Sequence, residues 1–227
     1  MFSIKRYLAW PPAPLCRRPW PPSTAIAPQL DPQQPLEEER TPYYHSTRFY
    51  PAKLGQILHG RYQLATKLGY GSSSTVWLAR DLHAWRWARE QYVAIKINRS
   101  PTSNHGHSRP ADHELGILQH VSGANRAHVG RRFVRRLLDA FSIDGPSDKH
   151  LCLVLEPLRE PLWLYRRRFV DDVIPADVLK IMVQMILEGL DYLHSECQII
   201  HAGMCNPRLC PYHGQRLGVQ TSSPTTF

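Results

Sequence analysis

Leu68-Gly69-Tyr70-Gly71-Ser72-Ser73-Ser74-Thr75-Val76, followed at residues 93–96 by Val93-Ala94-Ile95-Lys96, decides the reading of this chain. Gly69 and Gly71 stand two apart in a run of small residues. Glycine lacks the Cβ that would keep an anion away from backbone N–H groups, so such a turn can hold phosphate oxygens closely. Tyr62 to Leu68 and Thr75 to Ala79 alternate as two strands around that turn, and Tyr92 to Ile97 reads as a third strand carrying Lys96. A lysine there supplies a point charge for the α- and β-phosphates of a nucleotide. A glycine pair alone would mean only a turn; the ordered strands and the lysine give it chemistry.

The surrounding composition is that of a globular chain. Of 227 residues, 42% are apolar, enough for one domain core. The formal charge is +9, from 28 basic and 19 acidic residues. Arg126, Arg131, Arg132, Arg135 and Arg136 form the densest basic cluster and are expected to be a solvated face rather than a nucleic-acid site. Five widely spaced cysteines fit a reducing compartment better than a disulfide framework. The longest apolar stretch, Val178 to Leu193, carries Lys180, Gln184, Glu188 and Asp191 along one helical face, which predicts an amphipathic core helix and no membrane span. No repeat at a solenoid period is present.

Residues 1–45 hold ten prolines and the acidic run Glu37-Glu38-Glu39, and no stable fold is expected there. Lys5, Arg6, Arg17 and Arg18 precede the first acid, Asp31, which raises a mitochondrial transit segment as an alternative; the prolines oppose the amphipathic helix that such a segment needs. Downstream, Arg99 to Pro110 is a polar connector. Ala111 to Val121 predicts a helix with Leu115, Leu118 and Val121 on one face and Glu114 beside them. Leu137 to Ile143 and His150 to Leu155 predict two more strands around Asp144-Gly145-Pro146-Ser147. Short helical structure is expected from Pro161 to Phe169, and a long helix from Ala176 to Ser195.

The segment Gly60 to Asp81, GRYQLATKLGYGSSSTVWLARD, resembles the serine/arginine-rich protein kinase family, as does Tyr50-Pro51-Ala52-Lys53-Leu54-Gly55 before it. Ser74, at the third glycine position, departs from the general kinase pattern. The resemblance implies an α+β protein-kinase-like fold: a five-stranded antiparallel sheet with one helix as the upper lobe over residues 46–158, and a partial helical lobe over 159–202. It implies ATP, with Mg2+, as the bound group. Leu68, Gly69, Tyr70, Gly71, Ser72, Ser73, Ser74 and Val76 would cover the phosphates, Ala94 and Lys96 would line the cleft, and Glu114 would orient Lys96. Leu155, Glu156 and Leu158 would form the hinge that seats adenine. Arg/Ser-rich splicing factors would be the protein substrates, in cytoplasm or nucleus.

The resemblance breaks after Gln198-Ile199-Ile200-His201. The family continues with His-Thr-Asp-Ile-Lys-Pro-Glu-Asn-Ile-Leu or near it, whereas this chain reads HAGMCNPRLC. His201 matches. The catalytic aspartate falls on Gly203, the phosphate-contacting lysine on Cys205 and the magnesium-binding asparagine on Arg208. Glycine cannot orient a hydroxyl proton, and arginine offers only donors, so it cannot hold a cation. No Asp-Phe-Gly follows, and no metal ligand is assigned. The expectation is a truncated chain without catalysis, or a module that binds nucleotide or a partner. His201, Cys205, Cys210 and His213 have zinc-ligand residue types, but Pro207 and Pro211 fit no finger helix or ribbon. Gly203-Met204-Cys205 can be encoded GGT ATG TGY, which contains GTATGT, a sequence similar to a fungal-type 5′ splice donor. Splicing within that glycine codon would restore aspartate at 203, and residues 204–227 would then be intron read-through.

Overall fold

The computed structural model describes residues 16–23, 26, 31, 34–41, 44–100, 110–146 and 148–200. Six antiparallel strands, β1 (Ile57–Leu58), β2 (Tyr62–Gly71), β3 (Ser74–Asp81), β4 (Tyr92–Asn98), β5 (Leu137–Asp144) and β6 (Lys149–Leu155), pair in the order β1-β2-β3-β4-β6-β5. The five expected strands are all present. The sixth, β1, is only two residues long, too short to show alternation. His59 (φ 50) and Gly60 (φ 62) both take the left-handed conformation, and Arg61 N–H donates to the Leu58 carbonyl at 3.0 Å. That two-residue turn matches the twist of a hairpin and adds β1 to the edge of β2.

Period-two alternation sorts β4 into two faces. Val93, Ile95 and Ile97 point into a core with Tyr62, Leu64, Trp77, Phe141, Cys152 and Val154, while Ala94 and Lys96 point the other way. Arg61 closes one corner of this core. It makes two bonds to the Asp81 carboxylate, at 2.9 and 2.7 Å, and its ring neighbour Tyr62 donates to Asp139 at 2.8 Å. Burial disfavours the Asp81 charge, but the Arg61 fork and the His83 N–H outweigh it and hold its pKa below the usual value.

Residues 16–22 do not follow the expectation of an unstructured tail. Arg17 N–H donates to Leu82 O at 2.9 Å, and the Trp20 backbone exchanges two hydrogen bonds with the Gln63 amide, at 2.8 and 3.1 Å. Gln63 and Arg80 are both buried on the sheet. Arg80 reaches the Arg18 carbonyl at 3.2 Å, pairs with Glu90 at 2.7 Å and lies over the Trp20 ring. Buried polar groups need partners, and this segment supplies several of those that Gln63 and Arg80 require. Further on, Glu37 and Glu38 clamp Lys67 on β2.

Helix α1 (Pro110–Gly123) precedes β5, and α2 (Leu162–Tyr165) and α3 (Ala176–Asp191) come after β6. A π turn, Tyr192–Glu196, extends α3 to nearly the expected end. α3 is amphipathic as read, yet its apolar side is not a buried core face: Ile181, Ile186 and Leu187 are 58%, 55% and 59% exposed among the described residues. The packed face is instead the one bearing Gly189 and Tyr192. Tyr192 is fully buried with Val121 and Cys197, and its hydroxyl donates to the Val121 carbonyl of α1 at 2.7 Å. Gly130, in the turn Val129–Phe133, lies against α3.

Two outcomes follow from this packing. A Cβ at Gly130 would fall on the Glu188 carbonyl group, 2.7 Å from its carbon and 3.0 Å from the Tyr192 Cβ. Gly130→Ala should therefore lower stability by about 2 kcal/mol or more in urea unfolding, the cost typical of overpacking against backbone. Asp81→Asn should cost about 1–2 kcal/mol near neutrality, because the half-buried Arg61 guanidinium loses its bidentate partner and keeps only the longer contact to Asp139 at 3.7 Å. Because the folded Asp81 pKa lies below its unfolded value, this contribution is complete above the ordinary aspartate range and fades as pH falls through the folded value; the wild-type and Asn curves should converge in acid.

Candidate nucleotide-binding site

The β2–β3 hairpin shifts register twice, between Leu64 and Thr66 and between Lys67 and Gly69, and closes with Gly71 opposite Ser74 and Ser72-Ser73 at the tip. The tip is tied to the end of β4: Arg99 N–H donates to the Ser73 carbonyl at 2.9 Å and Arg99 Nη1 to the Ser72 carbonyl at 3.3 Å. Neither Gly69 nor Gly71 has a positive φ, and a Cβ added to either would meet no protein atom within 4 Å. The fold itself thus makes no demand for glycine at these two positions. Ser74 is buried, while Leu68 and Tyr70 are exposed beside the turn.

Cross-strand register then collects the remaining residues. Val76 on β3 faces Lys96 on β4, Lys96 faces Leu153 on β6, and Ala94 faces Leu155. Ala94 and Leu155 are buried. Lys96 Nζ donates to both Glu114 oxygens, at 2.6 and 2.8 Å, so α1 is held to β4 by one bifurcated contact. Leu155 leads into Glu156, and Leu158 beyond it is exposed. His201 and Gly203 lie outside the described residues.

Glu156 has partners that the sequence reading missed. Arg135 Nε donates to its backbone carbonyl at 2.9 Å, and Arg136 pairs with its carboxylate, which raises the Arg136 pKa. The expectation of a solvated arginine face holds for the exposed Arg126 and Arg132 and fails for Arg131, Arg135 and Arg136, which are partly withdrawn and paired. Arg131 donates to the Ser122 carbonyl at 2.9 Å, and Arg132 lies over the Phe133 ring. The signal was present in the strand pairing. Once Leu137 is set opposite Leu155, the antiparallel ladder carries Arg136 opposite Glu156.

The protein kinase domain family matches residues 62–204. The chain belongs to the protein kinase family. It is 38% identical over 198 residues to a serine/threonine protein kinase of Aspergillus fumigatus, an alignment covering 87% of this chain and 46% of that protein. It is 36% identical to protein kinase dsk1 of Schizosaccharomyces pombe, over 74% of this chain and 29% of the relative. Against SRSF protein kinase 3 of Mus musculus it is 35% identical, over 73% and 28%. The chain spans about half the length of the fungal kinase and under a third of the other two. Among the described residues no helix is long and apolar enough to cross a membrane, and no group of His, Cys, Asp or Glu is gathered as a metal site.

The side chains of Lys96 and Glu114 are 24% and 36% exposed, which limits what their contact adds to folding. Glu114→Gln should change unfolding free energy by no more than about 1 kcal/mol in chemical denaturation, as for other solvent-reached pairs. A larger loss would make the pair a structural pillar instead of an arrangement kept for a ligand.

Proposed function

We propose that this chain is the ATP-binding part of a serine/threonine protein kinase of the SRSF-kinase type. The observation that carries the reading is the Lys96–Glu114 contact beside two glycines that the fold does not require. Gly69 to Ser74 would bring backbone N–H groups to the β- and γ-phosphates, since no Cβ at 69 or 71 stands in the way. Lys96 would neutralise phosphate charge, and Glu114 would keep the ammonium from swinging into solvent. Ala94 would lie against adenine and Leu155, its neighbour across the β4–β6 ladder, would sit at the back of the pocket, with the backbone of Glu156 and Leu158 at the polar rim. Held by these residues, ATP would supply the phosphoryl group for transfer to a hydroxyl. The protein substrate would be Ser in Arg/Ser-rich splicing factors, which the likeness to SRSF protein kinase 3 supports, and the compartment cytoplasm or nucleus, which the buried thiols Cys152 and Cys197 suit as a reducing environment.

A second reading, binding without transfer, is favoured by one observation. Gly203 and Arg208 stand where a proton-orienting carboxylate and a cation ligand are expected, and neither residue type can do that work.

Titration of the chain with ATP, followed by transfer of labelled phosphate to an Arg/Ser peptide, separates the readings. Lys96→Ala should weaken ATP binding by about tenfold or more, the scale of one charge-assisted phosphate contact in a partly dry site. Unchanged affinity in that variant overturns the cradle. Binding without transfer favours the second reading, and binding with transfer the first.

A further inference from the structure

An open surface depression of about 440 Å³ lies between the C-terminal end of α1 and the start of β5, lined by none of the residues assigned above to nucleotide. Its charged walls are Arg126, Arg131 and Arg136, and no carboxylate belongs to the lining. Three guanidiniums around one space repel each other unless an anion lies among them. The protein compensates them only in part. Arg131 gives one nitrogen to the Ser122 carbonyl, at the negative end of the α1 dipole, but its Nε is buried with no partner among the described residues. Arg136 is shared with Glu156, from outside the lining. Arg126 is exposed and makes no ion pair or hydrogen bond among the described residues.

The walls are also fixed in place. Leu137 N–H donates to the Ser122 hydroxyl at 2.9 Å, which ties the β5 start to α1, and Ala124 N–H caps α1 on the His120 carbonyl at 3.0 Å. Such a frame holds the Arg131 and Arg136 forks at low entropic cost, while the exposed Arg126 side chain stays free to fold onto an anion. We propose that this depression binds a phosphate monoester, with Arg126 and Arg131 as the principal donors and Arg136 as the third. Planar forks suit the tetrahedral dianion better than they suit any neutral ligand. Because Arg136 also serves Glu156, an anion that recruits it loosens one of the two contacts on residue 156. That link to the adenine end of the cleft rests on the function proposed above; the anion site itself does not.

The test uses the full chain at low salt, titrated calorimetrically without nucleotide against inorganic phosphate, a phosphoserine peptide and the same peptide unphosphorylated. Phosphate-bearing probes should bind, Arg126→Ser should weaken them about tenfold, the loss expected for one charge-assisted fork, and Lys96→Ala should leave them unchanged. Arg126 is exposed, so its variant folds; Arg136→Gln gives a second, independent loss. Peptide binding tighter than inorganic phosphate identifies a phosphorylated protein as the source, and phosphate binding with the peptide excluded identifies a small phosphorylated molecule. No binding, binding unaffected by Arg126→Ser, binding lost in Lys96→Ala, or equal binding of the unphosphorylated peptide overturns the proposal. Since nucleotide is absent throughout, a failed ATP cradle would leave this result readable.

Discussion

A β-strand has two faces, and β4 is asked to use both. One side contributes Val93, Ile95 and Ile97 to the core, which excludes water and fixes the strand between β3 and β6. The other side then has no freedom left: Lys96 must stand opposite Val76 and Leu153, and the only adjustable element is the helix that meets it. A slip of one residue in the ladder would bury the ammonium among the apolar side chains and turn Ile95 or Ile97 outward, at a cost of several kcal/mol. The position of the charge is therefore held by hydrophobic burial on the reverse side of the same strand, and its contact with Glu114 is a consequence of that register more than a cause of it.

The second organising contact joins the sheet to the helices beyond it. Val121 at the end of α1, Tyr192 beyond α3 and Cys197 form a small apolar cluster, stitched by the tyrosine hydroxyl and by the His120 ring, 2.9 Å from the Cys197 carbonyl. The turn around Gly130 approaches α3 closely enough to exclude any side chain. Arg135 and Arg136 leave the same loop and grip Glu156. One short stretch, residues 120–136, thus touches the end of α1, the flank of α3 and the segment after β6. Displacement of α1 would be felt at all three places, since packed interfaces shift between discrete arrangements and do not deform smoothly.

Much of this was legible in the sequence, and the reasons differ by element. The hairpin, the lysine strand and β5–β6 were readable because alternation over six or more residues leaves one half-buried solution. Glu114 was singled out by the family resemblance, since the helix pattern alone only set it beside the apolar face. β1 was hidden by its length, and its turn depended on His59 taking a conformation that histidine adopts only occasionally. The docking of residues 16–22 was hidden by proline content, which signals the loss of helix and ladder but says nothing of side-chain partners such as Gln63 and Arg80. Arg131, Arg135 and Arg136 were misread because charge counted along a chain is blind to the cross-strand neighbour. α3 shows the reverse case: its amphipathic pattern was plain, while which neighbour meets its apolar stripe is a tertiary matter that no pattern within the helix contains.

Cys152 sits in β6 between Ile97 on one side and Phe141 on the other, wholly withdrawn from solvent. Burial pushes its thiol up to about 12, so at physiological pH almost none of it is the reactive thiolate, and no reagent can reach what little there is. The residue is chemically silent for as long as the sheet stays closed. Its rate of modification would then count openings of the sheet's interior rather than any property of sulfur, which makes one ordinary core side chain a clock for the cooperativity of the whole lobe.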